Sequence, residues 1–244
     1  MSPIPQTACL YLVPSSLSEE GARTIPAYVS ELLLGIRHFY VENLRSARRF
    51  LRSLDPSYDI DSRHFYELPV HGDPDTGILL RLLGEGLPVA VLSEAGYPCV
   101  ADPGSVLVLA AHRIGARIQP LVGPSSLLLA LSASGLNGQQ FRFHGYLPIQ
   151  PAQRLQALRD MERDIQQKAE TQIFIEAPYR NRGLAEDILR HGHPDWLLCI
   201  ARDLSGSREW IRTRALADWK SEDLPELHKI PAIFLLGRAA AYRP

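Results

Sequence analysis

The sequence lacks a long hydrophobic run and has few cysteines. No apolar stretch of the 244-residue chain approaches the ~18 residues that a membrane-spanning helix needs, so we expect no transmembrane segment. The three cysteines, Cys9, Cys99 and Cys199, are far apart and form no Cys-x-x-Cys pair, which argues against a zinc site or a redox disulfide. We interpret them as buried thiols, and we predict no bound metal.

Net charge and targeting signals are also scarce. The formal net charge is −1 at pH 7, which argues against a general polyanion binder, although a local patch can be hidden in that total. Residues 1–5 lack a charged region followed by an apolar one, so we expect no secretory signal and a cytoplasmic location. The remaining information lies in local patterns.

Apolar runs alternate with amphipathic helical stretches in the order β-α-β-α-β-α-β-α-β along the first half of the chain. The run Val89-Ala90-Val91-Leu92 is apolar without alternation, which is typical of a parallel sheet covered by helices on both faces. A second series of helices and strands follows Gly123, including a strand near residues 209–215 that is expected to pair antiparallel. The sequence therefore predicts an α/β fold with two domains, residues 1–122 and 123–244, mostly parallel sheets, and a ligand-binding cleft between them.

A loop with two glycines follows the run 89–92. It reads Ser93-Glu94-Ala95-Gly96-Tyr97-Pro98, and Asp102-Pro103-Gly104 comes shortly after it, before the next helix. Parallel sheets bind ligands beyond the carboxyl ends of their strands, and glycine lets a backbone approach a ligand closely. The alternative is an ordinary loop in which Asp102 caps the following helix.

A second turn, Gly123-Pro124-Ser125-Ser126, joins a strand to a helix. The first N–H groups of a helix are free donors, so a carboxylate or the polar end of a nucleoside could bind there. Ser125 acting only as a helix cap is the competing interpretation. Local sequence alone leaves both possibilities open.

Further motifs occur in a fixed order around these two loops. They are Leu10-Tyr11-Leu12-Val13-Pro14, Phe143-His144-Gly145-Tyr146-Leu147-Pro148, Phe174-Ile175-Glu176-Ala177-Pro178-Tyr179-Arg180 and Ala201-Arg202-Asp203-Leu204. Together they resemble the tetrapyrrole methylase superfamily, the class III S-adenosylmethionine-dependent methyltransferases, and within it the small-subunit ribosomal RNA 2′-O-methyltransferase branch. The resemblance extends over nearly the whole chain. It implies a homodimer that binds S-adenosylmethionine in the cleft between two α/β domains and methylates ribosomal RNA, alone or in the small subunit.

The same resemblance implies that backbone groups hold most of the methyl donor. The residues expected to contact it are Pro14, Ser93, Glu94, Ala95, Gly96, Pro98, Asp102, Pro103, Gly104, Gly123, Pro124, Ser125, Ser126, Ile175, Glu176, Ala177, Pro178, Pro231 and Ala232. Methyl transfer requires positioning of donor and acceptor and no covalent nucleophile. A general base would help if the acceptor is a ribose hydroxyl, although ionisable groups near strand ends more often have structural roles. The candidates in the matched motifs are Glu42, Glu94, Glu176 and His144.

Three loops depart from the pattern of that branch. Residues 15–21 lack its Gly-Asn pair, Asn43 stands in place of the Asp of Glu-Asp-Thr-Arg, and Ile230 stands in place of the Gly of Lys-Gly-Glu. These loops are expected to contact substrate or cofactor, so the departures leave the acceptor and the activity open. The alternatives are a methylase of a tetrapyrrole or another small acceptor, and a noncatalytic nucleoside- or RNA-binding protein on the same fold.

Basic and aromatic side chains give a separate indication of RNA. Four arginines recur at the spacing i, i+3, i+4 and i+7 of a helix face, which suits phosphate contacts but is also typical of a solvated helix. The candidate RNA-binding residues are Arg45, Arg48, Arg49, Arg52, Arg180 and Arg182. Three tyrosines beside strand ends could stack on bases or simply pack against the core. They are Tyr97, Tyr146 and Tyr179.

Overall fold

Residues 8–239 are described by a computed structural model of the chain. The chain divides into two compact units, Met1–Ser125 and Ser126–Pro244. Residues 1–5, on which the prediction about a secretory signal rests, lie outside the described residues. Between residues 8 and 239, no helix combines the length and the apolar character that crossing a membrane requires.

The first unit is a parallel sheet with helices between its strands. Its strands are β1 (Cys9–Val13), β2 (His38–Val41), β3 (His64–Glu67), β4 (Val89–Leu92) and β5 (Arg117–Pro120). Its helices are α1 (Ala27–Leu34), α2 (Leu44–Leu54), α3 (Gly77–Gly84) and α4 (Ser105–Arg113), and a 3-10 turn spans Gly21–Thr24. The strand order is β3-β2-β4-β1-β5, and every neighbouring pair is parallel. The parallel sheet expected for this half is thereby confirmed.

Both faces of this sheet are buried, which explains its continuous apolar strands. In β2, Phe39 and Val41 belong to one apolar cluster, and Tyr40, which points the other way, belongs to a second. All four residues of β4 are buried. Strand residues alternate between faces, so only a sheet covered on both sides requires apolar residues at every position. The edge strands β3 and β5 are only half-buried or exposed, and β5 accordingly carries Gln119 inside the strand.

Within the described residues, the second unit combines α-helices with a mixed sheet. Its strands are β6 (Phe141–Tyr146), β7 (Thr171–Ile175), β8 (Leu197–Arg202), β9 (Trp210–Ala215) and β10 (Ala232–Gly237). Its helices are α5 (Ser126–Ser134), α6 (Pro151–Lys168) and α7 (Asn181–His191), and short 3-10 turns span Leu216–Asp218 and Ser221–Asp223. The strand order is β6-β7-β10-β8-β9.

The expectation of mostly parallel sheets is wrong for this second sheet. Only β6 and β7 pair in parallel, whereas β10 is antiparallel to β7 and to β8, and β8 is antiparallel to β9. Helical crossovers through α6 and α7 give β6, β7 and β8 one direction. The short turn between β8 and β9 reverses the chain, as the sequence indicated, and β10 enters between β7 and β8 without a preceding α-helix. The α/β class itself is confirmed.

One apolar cluster of the second unit packs on one face of its sheet, and residues of the other face, such as Ile173 and Leu235, are buried too. Phe174 of β7 and Phe234 of β10 are fully buried, and their rings stack with centroids 5.9 Å apart. Met161 and Ile165 of α6 and Ile188 of α7 complete that side of the core. Because β10 runs antiparallel to β7 and β8, its amino end lies at the same edge of the sheet as their carboxyl ends.

Candidate functional site

The carboxyl edge of the first sheet brings together the loops after β1 and β4. Ser15 and Gly96 form an antiparallel bridge in which each amide donates to the other's carbonyl, over 2.8 and 3.1 Å. The Ser15 hydroxyl also donates to the carbonyl of Ser93 (2.8 Å), and the Ser93 hydroxyl donates to the carbonyl of Gly96 (3.1 Å). Both serines are buried, so these bonds fix the backbone of the loop.

The loop after β4 requires glycine at two of the positions expected to contact the donor. Gly96 has φ +74° and Gly104 has φ +124°, both in the region that side chains disfavour. A Cβ at Gly104 would lie 3.1 Å from Cys99 Sγ. Gly104 is also the residue before α4, and no side chain caps that helix. The interpretation of Asp102 as the cap of α4 is therefore wrong.

The turn after β5 packs directly against the end of β1. A Cβ added to Gly123 would lie 2.2 Å from Pro14 Cγ, so only glycine fits at this approach. The Tyr28 hydroxyl accepts a hydrogen bond from the amide of Val122 (2.8 Å), and the Tyr97 hydroxyl donates to the carbonyl of Leu121. These contacts hold the turn immediately before α5, which begins at Ser126.

Three carboxylates gather at the same edge, on loops that follow β2 and β4. The amide of Glu94 donates to Glu42 Oε2 (3.0 Å), and the Ser46 hydroxyl of α2 donates to Glu94 Oε1 (2.9 Å). Burial, and then repulsion from Glu42 and Glu94, raise the pKa of Asp102 to about 7. Asp102 also contributes, after burial, to raising the pKa of the Cys99 thiol to about 11. The edge is thus strongly electronegative.

Helix α2 carries the arginine face beside these carboxylates. Asn43 Oδ1 accepts from the amide of Ser46 (3.0 Å), so Asn43 caps the helix in place of the aspartate of the related branch. Ala47, Phe50 and Leu51 are buried on the opposite face. The exposed arginines border a surface pocket. The Arg48 guanidinium lies over the Phe65 ring (5.5 Å from its centroid), and Arg49 lies 3.7 Å from Glu19. The residues of this arginine face are Arg45, Arg48, Arg49 and Arg52.

The corresponding edge of the second sheet is held by side chains. Glu176 is fully buried at its carboxylate, which accepts from the Arg180 guanidinium (2.6 Å) and from the amide of Ala177 (2.7 Å). The pairing with Glu176 raises the pKa of Arg180. Two buried acceptors, Glu176 Oε2 and Asn181 Oδ1, have no hydrogen-bond partner among the described residues.

Backbone contacts then join the loop after β7 to the segment before β10. The Asn181 amide donates to the carbonyl of Ile230 (2.7 Å), and the amide of Lys229 donates to the carbonyl of Pro178 (3.1 Å). The amide of Asp203, after β8, donates to the carbonyl of Pro231 (3.0 Å). Because Ile230 contributes its backbone carbonyl, the departure at this position leaves this contact intact.

A candidate base and a candidate RNA-binding residue of the second unit each have a side-chain partner within that unit. His144 Nε2 lies 2.6 Å from Oε1 of the buried Gln172, and the Arg182 guanidinium donates to Glu186 (3.0 Å). The sequence interpretation missed Ser15, Ser46 and Asn181 as residues that build the two edges. Each is a small polar residue directly beside a strand end or at a helix start, which is the signal that could have found them.

Comparisons with known proteins give this geometry a family context. No protein-family model matches the chain. The chain is similar to ribosomal RNA small subunit methyltransferase I of Vibrio cholerae, with 30% identity over 217 residues that cover 88% of this chain and 72% of the relative. With the enzyme of that name from Pseudomonas aeruginosa, identity is 37% over 158 residues, covering 63% of this chain and 54% of the relative. The chain thus spans just over half the length of the Pseudomonas protein.

Solved structures share the fold at lower identity. The methyltransferase CobJ aligns with a TM-score of 0.62 and 19% identity, covering 97% of this chain and 95% of that one. A uroporphyrin-III-C-methyltransferase from Thermus thermophilus gives 0.54 and 20%, covering 96% and 93%. Diphthine synthase gives 0.59 and 16%, covering 94% and 90%. These likenesses establish the two-unit α/β architecture of the tetrapyrrole methylases.

Proposed function

The chain belongs to the ribosomal RNA small subunit methyltransferase I family, and from that membership we propose that it methylates a ribose 2′-hydroxyl of small-subunit ribosomal RNA. It is a methyltransferase, and its fold is that of the tetrapyrrole methylases. The observation that carries the proposal is the identity of 30% with the Vibrio protein over 88% of the chain. S-adenosylmethionine is the proposed donor, and a cytoplasmic homodimer is proposed on the same family ground.

The first sheet edge fits the donor in two respects. S-adenosylmethionine would supply a methyl group on a positively charged sulfur, and it also carries an ammonium group. Burial, and then repulsion from Glu42 and Glu94, raise the pKa of Asp102 to about 7, and a nearby cation would favour its ionised form. Gly96 and Gly104 carry no side chain, so a ligand could approach the main chain closely at these two positions. We propose that the residues expected from the sequence hold the donor here.

The second sheet edge offers acceptors that suit a nucleoside. Glu176 Oε2 and Asn181 Oδ1 are buried with no partner among residues 8–239, which is costly unless a ligand or water donates to them. Amino groups and ribose hydroxyls are such donors. The loop that contains Glu176, Ala177 and Pro178 is therefore proposed to contact the donor, together with Pro231 and Ala232.

The four candidate bases differ in how free they are to act. Glu176 is paired with Arg180, and His144 with Gln172, so we propose positioning roles for them. Glu42 and Glu94 lie at the electronegative edge and are partly or fully exposed, and we propose that one of them receives the proton of the acceptor hydroxyl. Proton transfer requires contact within hydrogen-bond distance of that hydroxyl, directly or through one water.

One reaction tests both the donor and the acceptor. Purified protein is incubated with isotopically labelled S-adenosylmethionine and small ribosomal subunits from cells that lack the protein, and the methylated nucleotide is mapped by mass spectrometry. We expect one labelled ribose. Calorimetric titration with S-adenosylmethionine and its demethylated product accompanies the reaction. No heat at millimolar ligand would overturn the enzyme proposal, and label on a base or only on a tetrapyrrole would overturn the proposed acceptor.

Variants of the arginine face test whether the protein binds RNA through its phosphates. We propose that it binds phosphates, because its exposed guanidiniums have at most loose partners on the protein and surface ion pairs contribute little. Arg48→Glu with Arg49→Glu should weaken RNA binding and flatten its salt dependence by about 0.7 logarithmic units per lost contact. The control is Arg113→Glu with Arg117→Glu, which changes the net charge equally away from the carboxyl edge. Equal effects of the two pairs would show that only net charge matters.

A further inference from the structure

Two large aromatic side chains are exposed at the carboxyl edge of the second sheet. Tyr146, the last residue of β6, is 59% exposed, and Tyr179, in the loop after β7, is 64% exposed. Ile149, three residues after Tyr146 in the chain, is also 64% exposed. Apolar and aromatic surface of this kind, gathered at a strand edge that is lined with polar groups, marks a binding surface more often than a packing defect.

The backbone of β6 is shaped so that Tyr146 is directed to this edge. Phe143 pairs with Ile173 and Tyr146 pairs with Ile175, so β6 carries one more residue than β7 between the two pairs. Gly145, within this bulge, has φ +66° with no neighbouring atom within 4 Å of its Cβ position. A bulge redirects the side chains that follow it, and a glycine adopts its left-handed conformation without strain.

The guanidinium of Arg180 packs against the ring of Tyr179. The Arg180 guanidinium lies 5.3 Å from the centroid of the Tyr179 ring, within the range of a cation–π contact. Its charge is already matched by the buried Glu176 carboxylate, 2.6 Å away. Tyr146 also interacts electrostatically with this guanidinium, and on β6 it pairs with Ile175, four residues before Tyr179. Arg180 thus supports an aromatic surface and is poorly placed to neutralise a phosphate.

We propose that Tyr146 and Tyr179 form a stacking surface for an unstacked base of the RNA substrate. This inference rests on the proposed function, because it names how the same site receives its acceptor. Proteins that bind single-stranded stretches of RNA commonly stack unpaired bases on exposed aromatic side chains. Aromatic rings then replace the lost base stacking without selecting a sequence, which suits a surface that the buried ion pair holds rigid.

The test compares a short single-stranded RNA of mixed sequence with an abasic analogue of the same length. Tyr179→Ala should weaken binding of the normal RNA by about 5- to 150-fold, as expected for the loss of one stacked base, and should leave binding of the abasic RNA unchanged. The loss should not depend on salt, because no phosphate contact is removed. Tyr179→Phe should retain affinity, since it keeps the ring.

Phe141→Ala is the matched control, because Phe141 is an exposed aromatic residue (40%) at the opposite end of the same strand. It should bind both RNAs as the parent does. Equal losses on normal and abasic RNA, or no loss for Tyr179→Ala, would overturn the stacking proposal. A change of oligomeric state in that variant, measured by light scattering, would show instead that the surface contacts protein.

The methylation reaction separates this proposal from the function on which it rests. Tyr179→Ala should raise the KM for small-subunit RNA and leave calorimetric binding of S-adenosylmethionine unchanged. If the parent protein methylates no RNA, the proposed function fails, and the comparison of normal and abasic RNA still decides the stacking surface. If the parent methylates RNA and Tyr179→Ala does so with the same KM, only the stacking proposal fails.

Discussion

The carboxyl edge of the first sheet is held chiefly by backbone and hydroxyl groups, whereas the same edge of the second sheet is held by a buried ion pair and a buried amide. In the first, Ser15, Ser93 and Gly96 exchange four hydrogen bonds that involve peptide groups. In the second, the Glu176 carboxylate and the Asn181 side chain make the decisive contacts. The first edge should therefore be sensitive to added volume and the second to lost charge.

The largest effect is expected at the ion pair of the second edge. Glu176→Ala leaves the Arg180 guanidinium without its partner and removes a bond to the amide of Ala177. Breaking a buried pair from one side costs about 3–5 kcal/mol, and the lower figure applies here because Arg180 can reach water. Urea unfolding of the variant without ligand measures the change in the free energy of unfolding.

The chain offers a matched control for this pair. Arg182 and Glu186 form another ion pair four residues apart, with 3.0 Å between Arg182 Nε and Glu186 Oε1, but both side chains are substantially exposed. Glu186→Ala should cost less than about 0.5 kcal/mol, as surface pairs do. Similar losses for Glu176→Ala and Glu186→Ala would mean that burial does not distinguish the second edge, and the contrast between the two edges would fail.

An intermediate effect is expected where the first edge is tightest. A methyl group at Gly123 would meet Pro14 at 2.2 Å, so the turn or β1 has to move in Gly123→Ala. Overpacking of this kind costs about 1–3 kcal/mol, again measured by urea unfolding. Gly84→Ala is the control, because its Cβ would meet no atom within 4 Å at the end of α3. That change should be neutral or stabilising by up to about 1 kcal/mol. Equal results for both glycines would contradict the steric account.

The two halves also differ in how well sequence predicts them. The first half follows from local signals: β4 is apolar at every position, and the loop after it contains Gly96 and Gly104. Parallel strands place their carboxyl ends at one edge, so the candidate residues of four loops could be grouped before the structure was known. Asn43 as a helix start is likewise a local signal.

The second half depends on information that local sequence does not contain. The apolar run of β10 is compatible with either strand direction, so its antiparallel insertion between β7 and β8 could not be predicted. The four-residue spacing of Glu176 and Arg180 can be read in the sequence. The burial of their ion pair follows from the insertion of β10 and cannot. The same limit applies to the environment of Asp102, since Glu42 lies sixty residues away in sequence and approaches only because β2 adjoins β4.

The smallest effect is a change of stability with pH between about 6 and about 8, which is expected from Asp102 at the first edge. The pKa of Asp102, about 7 in the folded protein, lies above its ordinary value of 3.8. Between those values the folded protein keeps a proton that the unfolded chain has lost, so stability falls as the pH rises towards 7 and is constant beyond it. From about pH 6 to about pH 8, this proton accounts for a loss of at most about 1.4 kcal/mol.

Asp102→Asn removes that proton and should therefore gain stability over the parent, with a larger gain at about pH 8 than at about pH 6. Glu42→Gln sharpens the comparison, because removing one repelling charge should lower the pKa of Asp102 and reduce the fall in stability above pH 6. Urea unfolding at both pH values measures the difference, and carboxyl titration by NMR locates the pKa directly. Parallel pH curves for the parent and Asp102→Asn would show that Asp102 is ionised throughout, and burial and the repulsion from Glu42 and Glu94 would then be too weak to raise its pKa towards 7.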